Sequence, residues 1–228
     1  MDLIEALTSE SITTELVNYA LSEVERKYGT GEGDGLNPKK YHNRAHSEEV
    51  LTAARRIAQL SLEAKKIAAS DISLIEIAAS FHDIEQDLKS GQNEAESAQV
   101  AEEEMRKRGF NEEDIQKVKR MILASTVYFV DGVSKQSATD EYLTKIISDA
   151  DLASLGSETH IYWKSAKRLL QEIKTTDEPP REDVIAFTEG QTPFLTNHQY
   201  YTEEAKALFI HKQENIEFVS EYLETLKR

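Results

Sequence analysis

Residues 40–50, KYHNRAHSEEV, set His42 and His46 four apart beside Lys40, Arg44 and Tyr41. In the helix this stretch would open, an inward stripe runs through Val50, Ala53, Ala54, Ile57 and Leu60, and stepping back four from Val50 lands on His46. In DISLIEIAASFHD, residues 71–83, His82 stands four from Ala78 and seven from Ile75, again on the apolar side, with Asp83 directly after it. In YLTKIISDADLASLG, residues 142–156, the steps Leu143, Ile147, Asp151 and Leu155 form one stripe, whereas Asp149 shares a face with Lys145. Three apolar stripes therefore each carry an ionisable group, and burying an unpartnered charge costs of the order of several kcal/mol. A divalent cation would compensate all of them, since neutral imidazole nitrogens and carboxylate oxygens are its natural ligands. Each residue also has an ordinary alternative: a hydrogen-bonded core histidine for His46 or His82, a helix cap or salt bridge for Asp151.

The elements that must position these groups read as helices nearly throughout, an all-α chain with a single domain over residues 1–228. Only four prolines occur, and strand-like alternation is lacking. Helices are expected at 3–28, 44–68, 72–84, 94–108, 112–129, 139–153, 158–176, 181–189 and 199–227. Within the domain, 1–40 supplies a first helix and a glycine-rich loop, 41–156 the core of the site, and 157–228 the C-terminal helices. Four of the nine glycines fall in GTGEGDG, residues 29–35. That run lacks a GK[ST] ending, and Glu32 and Asp34 would repel phosphate, so it reads as a flexible loop rather than a phosphate cradle.

Composition excludes several classes of function. Cysteine is absent, which removes disulfides, thiolate zinc sites and cysteine nucleophiles and leaves His, Asp and Glu as metal ligands. No apolar run reaches the ~18 residues that suggest a membrane span. MDLIEALTSE carries acids where a signal peptide carries bases, so a cytoplasmic protein with no membrane partner is expected. A formal net charge of −15 disfavours nucleic acid and anionic lipid. A small phosphate ester remains compatible, provided a metal and a few local bases reverse the potential in a pocket.

YHNRAH at 41–46, FHD at 81–83 and DADL at 149–152 stand in an order that resembles the HD-domain metal-dependent phosphohydrolase superfamily. NEAESA at 93–98 and FLTNHQYYTEEA at 194–205 are similar to a small predicted-phosphohydrolase subfamily with the pattern YHN, HD, NExxSA and DADLxxLG. The resemblance runs from about residue 40 to the end and implies a compact HD-domain-like helical bundle. It matches His46, His82, Asp83 and Asp151 to four metal ligands around one divalent ion of Mn, Fe, Co, Ni, Zn or Mg. His42 precedes the ligand histidine by four, as in the YHNxxH pattern of class I cyclic nucleotide phosphodiesterases, which implies a proton donor to the leaving group. Asp83 or Asp151 would orient the attacking water. The implied activity is hydrolysis of a phosphate ester of a nucleotide or related small phosphorylated metabolite.

Lys39, Lys40 and Arg44 form a basic rim that could contact phosphate, with solvated charges at a helix start as the alternative. Thr126 could hydrogen-bond within the site, and Gln86 occupies a place where some relatives carry a catalytic acid or a second-site histidine. Glu85, Asp87 and Glu94 are nearby acids whose simpler role is a solvated helix face. The chain also departs from the superfamily: no histidine occurs between His82 and His160, whereas two-metal members add histidines there, so a mononuclear site is expected. Val127, Tyr128 and Phe129 follow Thr126 where relatives often have a histidine. These departures leave room for a rival, a non-catalytic HD scaffold that senses a metal or nucleotide. A homodimer is left open.

Overall fold

A computed structural model describes residues 3–88, 92–130 and 133–228. Among them the chain is all-α, with ten α-helices and one short hairpin. The helices are α1 (Leu3–Tyr28), α2 (Arg44–Glu63), α3 (Ala69–Phe81), α4 (Gln92–Lys107) and α5 (Glu112–Ala124) in the N-terminal half. They continue with α6 (Tyr142–Asp151), α7 (Thr159–Lys174), α8 (Arg181–Asn197), α9 (Glu203–Leu208) and α10 (Lys212–Lys227). A 3-10 turn, Ala153–Gly156, joins α6 to α7. No helix is long and apolar enough to cross a membrane among the described residues.

Two apolar clusters hold the bundle. The larger is built from α1 to α6, through side chains such as Leu16, Ile57, Ile75, Met105, Ile122 and Ile147. The smaller joins Leu155, Tyr162, Leu195 and Val219 from the 3-10 turn, α7, α8 and α10. Asp151 stands at their seam, between Ala150 of the first cluster and Leu152, which packs on the second. Trp163 packs its ring 5.4 Å from Phe218 and 4.9 Å from Tyr222, an aromatic support for the smaller cluster.

The entry to α2 is fixed by backbone geometry. Gly29 and Gly35 both hold positive φ, and a Cβ on Gly35 would meet the Gly29 nitrogen at 2.5 Å, so only glycine lets this turn close on the end of α1. Asp34 ties the loop internally by accepting from the Thr30 amide at 2.8 Å. The turn then delivers Asn43, 1% exposed, to the N-cap of α2, where its Oδ1 accepts from the Ala45 and His46 amides at 2.9 and 3.4 Å. Its Nδ2 donates to the Lys39 and Lys40 carbonyls, both at 3.1 Å. The asparagine thus sets the angle at which the His42–His46 segment enters the bundle.

Three expectations from the sequence change. The helix expected through 129 ends at Ala124. The carbonyl of Ala124 accepts from Ser148 Oγ at 2.8 Å, and the β-branched and aromatic run that follows pairs as β1 (Val127–Val130) with β2 (Val133–Gln136). Residues 131–132, at the centre of the loop expected over 130–138, lie outside the described residues. The helix expected over 181–189 runs on to Asn197 through Pro193, because Phe194, Leu195 and Phe187 are needed in the smaller cluster and packing outweighs the lost amide bond. The helix expected over 199–227 is two, broken at Phe209–His211, where the Gly156 carbonyl takes the His211 amide at 3.0 Å.

Candidate metal centre

Three elements bring the polar members of the apolar stripes together. His46 lies in the first turn of α2, His82 is the C-cap of α3 with Asp83 in the turn after it, and Asp151 closes α6. The ligand atoms of His46, His82 and Asp83 all lie within 4.8 Å of one another, so this buried group could hold a metal ion. Asp83 Oδ2 is 3.3 Å from His46 Nε2 and 3.2 Å from His82 Nε2. Asp151 adds an oxygen, its Oδ1 lying 3.5 Å from His46 Nε2 and 3.7 Å from His82 Nε2. Donors held ~2.1 Å from one ion sit roughly 3.0 Å apart at right angles and roughly 3.4 Å apart in a tetrahedron, so the two Asp83 separations suit a shared centre. Asp151 stands outside this tight group, its oxygen somewhat farther off and facing both imidazoles.

Satisfaction of the buried atoms points the same way. His46 Nε2, His82 Nε2 and Asp83 Oδ2 are buried without a hydrogen-bond partner, although most buried polar groups have one. In His82 and Asp83 the other polar atom is held. His82 Nδ1 lies 2.8 Å from the Ala79 carbonyl and must donate to it, which leaves the Nε2 lone pair facing the cluster. Gln86 Nε2 donates to Asp83 Oδ1 at 2.7 Å and so presents Oδ2 inward. Behind Gln86, its Oε1 accepts from Asn93 Nδ2 at 3.4 Å, while Asn93 Oδ1 takes the Leu88 amide at 2.8 Å and Ser97 Oγ the Glu85 amide at 3.1 Å. Asn93 and Ser97 of the NEAESA stretch thereby pin the turn that carries Asp83.

The electrostatics are those of imidazoles and carboxylates buried side by side. Burial alone would lower the His46 imidazole, yet the carboxylates of Asp151 and Asp83 beside it push it up to about 10. Burial likewise opposes charge on His82, and Asp83 overcomes it and raises that group. Burial would raise Asp83, but the adjacent imidazoles of His82 and His46 hold it well below the ordinary carboxylate range. Without metal, the cluster therefore retains a proton on His46 up to a pH of about 10, and metal uptake must displace it. Between about pH 6 and 8 the metal affinity is expected to rise at least about tenfold per pH unit, with proton release visible by calorimetry in buffers of different ionisation enthalpy. In the metal-free fold the sign is opposite. The His46 proton stabilises fully below the ordinary histidine value, and that contribution is lost as pH rises through about 10.

The remaining expected site residues separate into two groups. His42 Nδ1 lies 2.6 Å from Glu172 Oε1, and the other oxygen of Glu172 accepts from the Tyr41 and His42 amides at 2.7 and 3.0 Å. Burial would raise the Glu172 carboxyl, but the His42 hydrogen bond and charge, with the two amides, keep it below its usual value. The ionised acid makes Nδ1 the donor, which frees Nε2 of His42. Lys39 pairs with Asp87 at 3.4 Å, Lys40 with Asp177 at 2.6 Å, and Arg44 with Glu25 at 2.5 Å and Glu48 at 2.9 Å. Glu85 pairs with Lys27. Thr126 links α5 to β1, and its neighbour Val127 lines a cavity at the site.

Two cavities meet at Asp151. One, of about 600 Å³, reaches His46 and carries Arg56, Lys164 and His160 together with Glu48 and Glu49. Arg56 and Lys164 form no ion pair among the described residues, unlike the three bases of the 39–44 segment. The other, of about 460 Å³, opens beside His42 between the 3-10 turn, α7 and α8.

Three residues near the site gave no readable sequence signal. Asp149, expected on a face with Lys145, is fully buried because the later part of α6, residues 146–150, is enclosed on every side. Its carboxylate accepts from the Tyr201 amide at 2.7 Å, the Thr202 amide at 2.8 Å and Thr202 Oγ1 at 2.6 Å. His198, 8% exposed, has both ring nitrogens unpartnered, and burial with the nearby Lys212 charge lowers it to about 4. Glu172 acts on His42 from 130 residues away, whereas Gln86, expected at the site from its place three after Asp83, holds the Oδ1 of that residue. No protein-family model matches the chain, and no curated protein matches it.

Proposed function

We propose that this chain is a metal-dependent phosphohydrolase of the HD-domain type, acting on a phosphate ester of a nucleotide or related small phosphorylated metabolite. The observation that carries the reading is the convergence of three buried, unpartnered donors, His46 Nε2, His82 Nε2 and Asp83 Oδ2. A single divalent ion held there would supply Lewis acidity toward a phosphoryl oxygen and lower the pKa of water at the site. Asp151, the most accessible of the four donors, is placed to orient the water. His42, whose Nδ1–H is held by Glu172, delivers a proton from Nε2 to the departing oxygen when the ring carries protons on both nitrogens. Arg56 and Lys164 are the unpaired cations available to a phosphate in the larger cavity. An acidic chain needs such a local reversal of potential.

Two measurements test this reading. Protein purified without chelator is expected to carry about one metal ion per chain and, with Mn, Co, Ni or Mg, to hydrolyse members of a panel of phosphate mono- and diesters. Activity should vanish in His82→Ala and Asp151→Ala while circular dichroism stays helical. Bound metal with no turnover of any panel member would instead support a sensing domain. Separately, Glu172→Gln is expected to lower kcat by about 10- to 100-fold with KM little changed, since the proton donor loses its orientation and not its contact with substrate. Steady-state kinetics on any hydrolysed ester checks it, and an unchanged kcat would remove His42 from that role.

A further inference from the structure

The cavity beside His42 differs in chemistry from the one that carries Arg56 and Lys164. Its wall is formed largely by Leu152, Leu155, Leu169, Ile173, Phe187 and Phe194. No lysine or arginine reaches it among the described residues, and its charged or readily titrating groups are Asp151 and His42, both at the metal end. Ile173 stays 60% exposed, an apolar side chain left open on this wall. A ligand group with its own charge would find no counter-ion here and would lose its hydration. An uncharged apolar body of matching size would gain by leaving water.

We propose that this cavity receives the leaving group of the hydrolysed ester, and that the preferred leaving group is an uncharged, mainly apolar alcohol such as an aryl or long alkyl alcohol. The inference rests on the metal-dependent phosphohydrolase reading of the site and departs from it in the substrate class, replacing a nucleoside leaving group by an apolar one. Its geometry follows from the positions of the two ends. Phosphorus faces the donor cluster at Asp151, and the bond to the ester oxygen breaks as water oxygen bonds to phosphorus. The doubly protonated His42 gives its Nε2 proton to the ester oxygen, the attacking water gives up a proton to bulk solvent, from which His42 is reprotonated, and the released alcohol already lies in the apolar cavity. Bases on the other side of Asp151 remain free for the phosphate oxygens. A nucleoside polyphosphate would place charges where no lysine or arginine among the described residues answers them, although Ser154, Ser165 and Gln191 could take a few hydroxyls.

Gly190 offers a direct test. It lies in α8 on the wall of this cavity, and a Cβ built there meets nothing within 4 Å. Gly190→Leu should fill the space without strain, and its better helix propensity keeps the melting temperature at or above that of the parent. With Mn-loaded protein, kcat/KM for 2-naphthyl phosphate is expected to exceed that for methyl phosphate by at least about tenfold, and Gly190→Leu to bring the ratio close to one. An equal preference in the parent, or a ratio untouched by Gly190→Leu, would overturn the proposal. If neither ester is hydrolysed, the hydrolase reading has failed and the cavity is judged separately by calorimetric titration with 2-naphthol. Binding to the parent that Gly190→Leu abolishes upholds the apolar ligand class, and no binding refutes it.

Discussion

Adding a saturating divalent cation to the metal-free chain is expected to raise its melting temperature by about 8 to 16 °C. A ligand at about a thousand times its dissociation constant contributes about 4 kcal/mol to the native state. For a chain of 228 residues each kcal/mol moves the transition by about 2 to 4 °C. The physical source is the unsatisfied state of His46 Nε2, His82 Nε2 and Asp83 Oδ2, which the fold buries at a cost that only a shared cation or a retained proton offsets. The gain should disappear in His82→Ala and should shrink as pH falls, because the His46 proton competes with the metal. Scanning calorimetry with Mn or Zn against a chelated control checks it. Equal transitions with and without metal would mean that the cluster is a proton-bridged core feature.

The second large effect concerns the other acid of DADL. Asp149→Ala is expected to destabilise the fold by about 3 kcal/mol or more, a fall of roughly 6 to 12 °C in melting temperature. The substitution strands two backbone amides and one hydroxyl in a fully buried position, all of which converge on the carboxylate. Thr202 also caps α9 through the Ala205 amide at 3.2 Å, so the loss spreads into the 198–208 segment. Asp149→Asn should recover part of this. Its oxygen can still accept from Thr202, but its NH2 then faces the Tyr201 amide, donor against donor. Asp151→Ala should behave in the opposite way, costing little stability and much metal affinity. Paired denaturation and metal titrations of the two alanine variants would separate the roles, and equal effects would contradict the assignment.

That contrast marks how far the sequence could be read. His46, His82 and Asp151 each interrupt a helical stripe at a fixed period, and a period is a local property, so their inward direction was visible without coordinates. The same periodic signal located most of the helices. Asp149 was misplaced for a physical reason: α6 runs inward past Lys145 until residues 146–150 are buried all round, and in such a stretch no face is the solvent face. Glu172 lies 130 residues from His42, and nothing near either residue announces the pairing. The bases at 39, 40 and 44 are legible as charges, but their ion pairs to Asp87, Asp177, Glu25 and Glu48 are set by tertiary placement. The hairpin after Ala124 was hidden by a helical pattern running into β-branched residues, where tertiary hydrogen bonds from Ser148 and Gln136 decided the outcome.

The most direct test is anomalous diffraction from crystals grown with Mn or Co. A single strong peak is expected at about 2.0 to 2.3 Å from His46 Nε2, His82 Nε2, an Asp83 oxygen and an Asp151 oxygen. A peak elsewhere, or none with the four side chains in the same positions and hydrogen-bonded only to one another, would contradict the metal centre on which the proposed chemistry stands.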